Sequence, residues 1–158
     1  MNKVMLIIDD DANLAALIAR VGHRYLPDMR MLIAKTGGEG LEKARAVQPR
    51  AVMLDIVLPD KDGFEVCRQL RADPLTKNAS IMMMSGSVRE PSQIVMSEKC
   101  GADDYVIKPF TIADLVSRLK NLLRRPSIYA DNVAISPTLE IIHTAYSSRG
   151  GTDCISTR

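Results

Sequence analysis

The chain has no tryptophan, only 4% aromatic residues, and no apolar run near the ~20 residues that a membrane-spanning helix needs. The scarcity of aromatic residues argues against a stacking surface for single-stranded nucleic acid. A net charge of +2 is too small to indicate nucleic acid or an anionic membrane as a partner. The N-terminus lacks the basic-then-apolar pattern of a secretion signal. We therefore expect a cytoplasmic protein with no direct contact to membrane or nucleic acid through this chain.

Cysteine is also scarce: Cys67, Cys100 and Cys154 are odd in number and lack the spacing of a metal site. This pattern is typical of reduced thiols in the cytosol rather than of a disulfide framework. The 158 residues, 46% hydrophobic and 25% charged, suffice for one globular domain with a full core.

Short apolar segments alternate five times with segments in which apolar residues keep helical spacing. The apolar segments lack the polar alternation of a half-exposed strand, which is typical of strands buried on both faces of a parallel sheet. They are Val4–Ile8, Met31–Ala34, Ala51–Leu54, Ile81–Met84 and Tyr105–Ile107. This pattern predicts an α/β fold, (βα)5, with a doubly wound five-stranded parallel sheet. Among such sheets we expect the flavodoxin-like strand order 2-1-3-4-5.

Residues 126–158 have a different composition, rich in Ser, Thr, Gly, Asp, Asn and Arg. Two apolar patches, Val133–Ile135 and Leu139–Ile142, could pair as a hairpin, although an isolated two-stranded ribbon is only marginally stable. The last ten residues have the composition of a disordered segment. We expect one domain over residues 1–125, followed by a tail that is too short for a complete second domain.

Acidic side chains follow two of the predicted strands. Asp9, Asp10 and Asp11 come after the first strand, and Asp55 comes directly after the third. In the order 2-1-3-4-5, the carboxyl ends of strands 1 and 3 flank the switch point at which open α/β sheets bind ligands. Acids gathered there suit a hard divalent cation, and a carboxylate beside such a cation can accept a phosphoryl group. Asp11 also fits a structural role as the N-cap of the next helix.

Two further polar groups end the neighbouring strands. The fourth strand ends in Ser85, and Gly86 after it leaves room for a ligand and offers a backbone N–H. The fifth ends before Lys108, and a cis bond to Pro109 would aim the lysine inward. A cation, a lysine and a hydroxyl are what a transferring phosphoryl group needs to neutralise its oxygens.

With these segments in this order, the chain resembles the receiver domains of two-component response regulators. The resemblance covers about residues 1–125 and is carried by four segments: Ile7–Asp11, Leu54–Val66, Met84–Gly86 and Gly101–Phe110. It implies that Asp55 accepts a phosphoryl group from the phosphohistidine of a sensor histidine kinase or a phosphotransfer protein.

The resemblance also implies a Mg²⁺ site. Asp10 would bind the ion directly, and Asp9 would bind it directly or through water. Asp55 and the carbonyl of Val57 would complete the protein ligands, an oxygen set of the kind that Mg²⁺ prefers.

The same resemblance assigns Lys108 and Ser85 to the phosphoryl oxygens. It makes Tyr105 a switch that turns inward as Ser85 moves. Val57, two residues after Asp55, is apolar and cannot orient an attacking water. We therefore predict slow autodephosphorylation and no enzymatic turnover of external substrates.

A receiver signals through the face formed by its fourth helix, fifth strand and fifth helix. The segment Gly101–Arg125 is most similar to the winged-helix transcription-factor branch of the family. Charged residues at matching positions would join two receivers into a phosphorylation-enhanced homodimer: Asp103, Asp104, Asp114, Arg118 and Arg125. Ile94 and Val95 stand where basic residues are expected in the fourth helix, so they would instead form an apolar dimer or partner surface.

Three other functions compete with this interpretation. An aspartyl phosphohydrolase or phosphotransferase of similar topology would have a second acid at the position of Val57. A flavin-binding protein would have a Ser/Thr/Gly phosphate loop after the first strand, where three acids would repel the flavin phosphate. A pseudo-receiver that binds partners without phosphorylation is the remaining alternative, and the complete set of acids, hydroxyl and lysine argues against it.

Overall fold

The computed structural model describes residues 3–86, 96 and 99–124. Its strands are β1 Val4–Ile8, β2 Arg30–Ala34, β3 Ala51–Asp55, β4 Ser80–Ser85 and β5 Asp104–Ile107. Its helices are α1 Ala12–Tyr25, α2 Gly37–Val47 and α3 Gly63–Ala72, then α4, of which Met96, Lys99 and Cys100 are described, and α5 Ile112–Arg124. All five predicted strands are confirmed to within one residue at each end.

The strands form one parallel sheet in the order β2-β1-β3-β4-β5, as predicted. Every residue of β1, β3 and β4 is buried, because these central strands have helices on both faces. At the edge of the sheet, β2 begins with the exposed Arg30. The sheet therefore has the doubly wound α/β architecture that the unbroken apolar segments indicate.

Alternate side chains of each strand enter two separate core layers. One layer lies under α2 and α3 and includes Leu6, Val52, Ile81, Ala44, Phe64 and Leu70. The other lies under α1 and α5 and includes Met5, Met53, Met82, Ile18, Val21, Leu115 and Leu119. Methionine supplies much of the interior, and β4 carries three in succession, Met82–Met84, all fully buried.

Side chains cap the N-termini of α1 and α5, and the cap of α1 is Asp11, in the role that the sequence allows for it. The Asp11 carboxylate accepts hydrogen bonds from the N–H groups of Asn13 and Leu14, at 3.0 and 3.1 Å, and so caps α1. The Thr111 hydroxyl accepts one from the N–H of Asp114 at 3.1 Å and caps α5. Such caps satisfy backbone donors that have no partner within the helix.

Some sequence expectations fail or lie outside the described residues. The helical spacing of Ile112 with Leu115 and Leu119 predicts that Ile112 is buried. It is instead 49% exposed, because it is the first residue of α5 and the buried stripe starts at Leu115. Cys67 and Cys100 are buried thiols that are not joined in a disulfide. The predictions for residues 126–158, and for Ile94, Val95 and Arg125, fall outside the described residues. Among the helices that the structure describes, none is long and apolar enough to cross a membrane.

Candidate functional site

The sheet register brings the predicted site residues to one edge. Ile8 lies opposite Leu54, so Asp9 and Asp55 leave β1 and β3 side by side. On the other flank, the Lys108 N–H donates to the carbonyl oxygen of Ser85 at 2.7 Å, which places the ends of β4 and β5 together. The peptide between Lys108 and Pro109 is cis, as expected.

Lys108 links the acids that follow β1 and β3. Its Nζ donates to Asp9 Oδ2 at 2.8 Å and to Asp55 Oδ2 at 2.9 Å. Asp9 is completely buried and Asp55 nearly so, whereas Asp10 is exposed at the rim. The other Asp9 oxygen accepts the N–H of Asp11 at 2.9 Å, which fixes the orientation of that carboxylate.

The three carboxylates Asp9, Asp10 and Asp55 fit a divalent cation. Each offers one oxygen, and these oxygens lie within 4.8 Å of one another. Mg²⁺ takes oxygen ligands and is commonly held by one or two carboxylates plus waters, which this donor set can supply. Asp11 does not join them, because its carboxylate caps α1.

Burial and charge have opposite effects in this cluster. Burial raises the pKa of the Asp55 carboxyl, and the hydrogen bond and charge of Lys108 offset only part of that rise. For Lys108, burial disfavours the ammonium, but hydrogen bonds to Asp9 and Asp55 outweigh it and raise its pKa. The lysine therefore stays charged between two acids.

Ser85 and Tyr105 lie on the same side of the site. Ser85 is buried at the end of β4, while Gly86 after it is exposed, and a methyl group added to Gly86 would meet no described atom within 4 Å. Tyr105 is 2% exposed and packs in the core layer under α2 and α3. Burial raises the pKa of its phenol, partly offset by a side-chain hydrogen bond with Ser85. The hydroxyl groups of Ser85 and Tyr105 are thus hydrogen-bonded to each other.

Val57 stands at the entrance to the site. Its side chain is 73% exposed, and its N–H is 3.5 Å from Asp55 Oδ1. The glycine that ends this loop has a strict packing role: a Cβ at Gly63 would strike the carbonyl oxygen of Asp55 and lie 2.7 Å from Ile56 Cα. The turn after β3 therefore requires glycine at this position.

Sequence reasoning missed one residue beside the site, Asp60. Its two carboxylate oxygens accept the N–H groups of Gly37 and Gly38, at 2.7 and 2.8 Å, at the start of α2. The partners are more than twenty residues apart in the chain, so no local periodicity reports the contact. A weak signal is present: Thr36-Gly37-Gly38 opens a helix with N–H groups that any nearby acid can bind.

Three of the predicted interface residues pair with one another. Arg118 donates to Asp104 Oδ1 at 3.2 Å and to Asp114 Oδ1 at 3.1 Å. It also donates to the carbonyl oxygen of Tyr105 at 3.3 Å. An apolar cleft of about 360 Å³ borders this network and includes Ile107 and Phe110 in its lining.

Asp103 does not lie on that face, and the prediction that it does is wrong. It is 7% exposed and pairs with Arg71 of α3 at 2.7 Å. The same Oδ2 accepts the N–H of Ile81 in β4 at 2.7 Å. Arg71 also donates to the carbonyl oxygen of Gly101 at 2.7 Å, so this pair secures the chain entering β5.

Comparison with known proteins gives one family. Residues 5–120 match the model of the response regulator receiver domain. The chain is 37% identical over 130 residues to the alkaline phosphatase synthesis transcriptional regulatory protein PhoP of Bacillus subtilis, covering 82% of this chain and 52% of that protein. It is 35% identical over 125 residues to the DNA-binding response regulator MtrA of Mycobacterium tuberculosis, covering 79% and 52%. The chain spans about half the length of these curated relatives.

Solved structures agree on the fold. A CheY-like response regulator receiver domain protein from Methanospirillum hungatei is 29% identical, with a TM-score of 0.71 over 78% of this chain and 95% of that chain. The BeF3-activated receiver domain of RstA from Klebsiella pneumoniae is 30% identical, with a TM-score of 0.67 over 77% and 99%.

Proposed function

Because this chain belongs to the response regulator receiver domains of two-component systems, we propose that Asp55 accepts a phosphoryl group from a sensor histidine kinase or a phosphotransfer protein. The observation that carries the proposal is the position of Lys108 Nζ, 2.8 Å from Asp9 and 2.9 Å from Asp55. This places a cation and a nearly buried carboxylate nucleophile at the predicted ligand end of the sheet. Response regulators receive phosphate from histidine kinases, and the proposal assigns the acceptor atom in this chain.

The proposed metal site uses the same acids. Asp9, Asp10, Asp55 and the carbonyl of Val57 would hold Mg²⁺, supported by the spacing of the three carboxylates. Mg²⁺, when bound, neutralises negative charge on the phosphoryl oxygens.

In the proposed reaction an Asp55 oxygen attacks the phosphorus of the donor phosphohistidine. The new O–P bond forms as the P–N bond breaks, and the electron pair of that bond stays on the donor imidazole. Lys108 then exchanges its contact with the Asp55 carboxylate for one with a phosphoryl oxygen. The Ser85 hydroxyl donates to another phosphoryl oxygen, and the Gly86 N–H lies beside it, so charge is balanced by groups already in place.

The proposed output runs from Ser85 through Tyr105 to the face formed by α4, β5 and α5. The hydrogen bond between Ser85 and Tyr105 means that a hydroxyl drawn toward phosphate also acts on the ring. On that face, Asp104, Asp114 and Arg118 would exchange some of their pairing for contacts with a second receiver. Residues 1–125 would form this receiver, with residues 126–158 as a tail. Since MtrA is named as a DNA-binding response regulator, we propose control of transcription as the end of the pathway. The low net charge and scarcity of aromatic residues then argue against DNA contact only by the receiver itself.

Receiver domains are generally not enzymes, and we propose that the only turnover here is slow loss of the chain's own phosphoryl group. Val57 supports this, because an exposed apolar side chain two residues after Asp55 offers no hydrogen bond to an attacking water.

The test is phosphorylation by a small donor such as acetyl phosphate with Mg²⁺, followed by intact mass. Wild type should gain one phosphoryl group and Asp55→Asn none. Asp11→Asn is the matched control: asparagine caps helices as well as aspartate does, so this variant should still be phosphorylated. A wild type that stays unmodified while binding Mg²⁺ would favour the pseudo-receiver alternative.

A further inference from the structure

The segment between β3 and α3, residues 56–62, forms a loop next to Asp55, and its tip rests on α2. Asp60 at the tip accepts the N–H of Gly37 at 2.7 Å with one oxygen and the N–H of Gly38 at 2.8 Å with the other. These are the first two residues of α2, whose N–H groups have no acceptor within the helix. One carboxylate thus satisfies both donors and places negative charge at the positive end of the helix.

The base of the loop is held by its own backbone. The Gly63 N–H donates to the carbonyl oxygen of Ile56 at 2.8 Å, and Val57 and Asp62 form an antiparallel bridge. Asp62 also accepts the N–H of Phe64 at 2.9 Å and so begins α3. These contacts close the loop, but none of them fixes its tip relative to the rest of the sheet.

The tip and α2 meet without a gap. A Cβ placed on Gly37 would lie 2.8 Å from Val66 Cγ2 and 3.1 Å from Lys61 Cβ. Glycine is therefore needed at residue 37 for the loop and α3 to approach the helix this closely. The contact is a packed junction with two hydrogen bonds at its edge.

Val57 is bridged to Asp62 at the base of this closed loop, so its backbone moves with the loop as one unit. Its side chain is 73% exposed and so gains little from packing, and its N–H is 3.5 Å from the nearest Asp55 oxygen. The place of its carbonyl follows from where the loop is held. The carboxylate of Asp60 is available to hold it at neutral pH, because the hydrogen bonds from Gly38 and Gly37 lower the pKa of Asp60.

We propose that Asp60 is a positioning residue for phosphorylation: by binding the N-terminus of α2 it anchors loop 56–62 and holds the Val57 carbonyl where Mg²⁺ requires a ligand. This inference rests on the proposed function of the site. In this proposal Asp60 touches neither the metal nor the phosphoryl group and acts only through the loop. Groups that orient metal ligands from outside commonly alter metal affinity about 10–100-fold.

The test compares Mg²⁺ affinity, followed by amide chemical shifts, in wild type, Asp60→Ala and Asp60→Asn. Alanine removes both hydrogen bonds and should weaken Mg²⁺ binding about tenfold, while asparagine keeps one acceptor and should fall between the two. Asp28→Ala, which removes an exposed acid far from the loop, is the charge-matched control and should match wild type. With acetyl phosphate, the Mg²⁺ concentration for half-maximal rate should rise, and the rate at saturating Mg²⁺ should stay within about twofold of wild type.

Hydrogen exchange at the Gly37 and Gly38 amides reports whether the contact is lost in each variant. Exposed amides with an unchanged Mg²⁺ affinity would overturn the proposal. Should Asp60→Ala fail to fold, Asp60→Asn and Gly38→Pro decide, since proline in the first turn removes one donor from the other side of the contact. If wild type binds Mg²⁺ but takes no phosphoryl group, the proposed function fails, and the affinity comparison still decides the role of Asp60.

Discussion

Replacing Lys108 by methionine keeps most of the side-chain volume and removes the positive charge of the ammonium group. The Lys108 ammonium donates to Asp9 at 2.8 Å and to Asp55 at 2.9 Å. Without the ammonium, the carboxylates of Asp9 and Asp55 face each other across the ends of β1 and β3. Asp9 is fully buried, and Asp10 lies nearby at the rim. The substitution should therefore destabilise the fold and make its stability depend strongly on Mg²⁺.

The size of the effect follows from burial. Removing one partner of a buried ion pair costs about 3–5 kcal/mol, because the remaining charge is left uncompensated. The Lys108 side chain is 19% exposed, so water reaches the cluster, and we expect the lower end, about 3 kcal/mol. With a urea m-value of about 2 kcal/mol/M, the unfolding midpoint should fall by about 1.5 M.

The assay is urea unfolding in the presence of a chelator and again with Mg²⁺. A ligand at 100 times its Kd stabilises the native state by about 2.7 kcal/mol, and the gain should be larger in Lys108→Met because the ion also relieves repulsion between the acids. Lys43→Met is the matched control. Its ammonium pairs with Glu39 one turn earlier on α2, a pair worth about 0.3–0.5 kcal/mol, and donates to the carbonyl oxygen of Ile33 in β2 at 2.6 Å, which adds about 1 kcal/mol. We therefore expect Lys43→Met to lose about 1.5 kcal/mol, half of the loss in Lys108→Met.

Two results would refute this reasoning. One is a loss of stability in Lys108→Met no larger than that in Lys43→Met, which would mean that the acids are solvated or protonated without the lysine. The other is an equal gain from Mg²⁺ in Lys108→Met and wild type, which would mean that the lysine and the ion do not act on the same charges.

Two further substitutions test the turn after β3. Val57→Asn should shorten the lifetime of the phosphorylated protein about tenfold by orienting water, whereas Val57→Ile should leave it unchanged; equal decay of the two by intact mass would contradict the argument. Gly63→Ala should cost about 3 kcal/mol or more in urea unfolding, because its methyl group meets backbone atoms that cannot move apart easily. Gly86→Ala, which meets no described atom within 4 Å, should change stability by less than about 0.5 kcal/mol, and a similar loss in both variants would count against a packing role for Gly63.

The strands and the placement of the site residues were predictable for one physical reason. A parallel strand with helices on both faces is apolar at every position, so the first polar residue after each apolar segment marks the end of a strand. Asp9 and Asp55 follow from this rule, and Ser85 and Lys108 extend it to the neighbouring strands. Since the strand ends of a parallel sheet share one edge, the sequence already predicts which residues meet.

What the sequence did not predict depends on pairs that are distant in the chain. The Asp60 carboxylate binds the first N–H groups of α2, and the Asp103 carboxylate binds Arg71. These partners lie 22 to 32 residues away in the chain, and no periodicity of the sequence connects them. Asp103 and Asp104 are neighbours in sequence, yet the first pairs inward with α3 and the second with Arg118. A side-chain charge alone indicates a surface position, and only the packed structure identifies the buried exceptions.

The side chains behind the site differ in stiffness from one strand to the next. β1, which leads to Asp9 and Asp10, ends in Ile7 and Ile8, whose branched side chains have few accessible rotamers. β4, which leads to Ser85, is filled by Met82–Met84, whose unbranched thioethers adapt to irregular space. The strand behind Asp9 and Asp10 thus ends in side chains with fewer rotamers than those of the strand behind Ser85. A displacement of Ser85 can therefore be absorbed by rotamer changes of the methionines within β4.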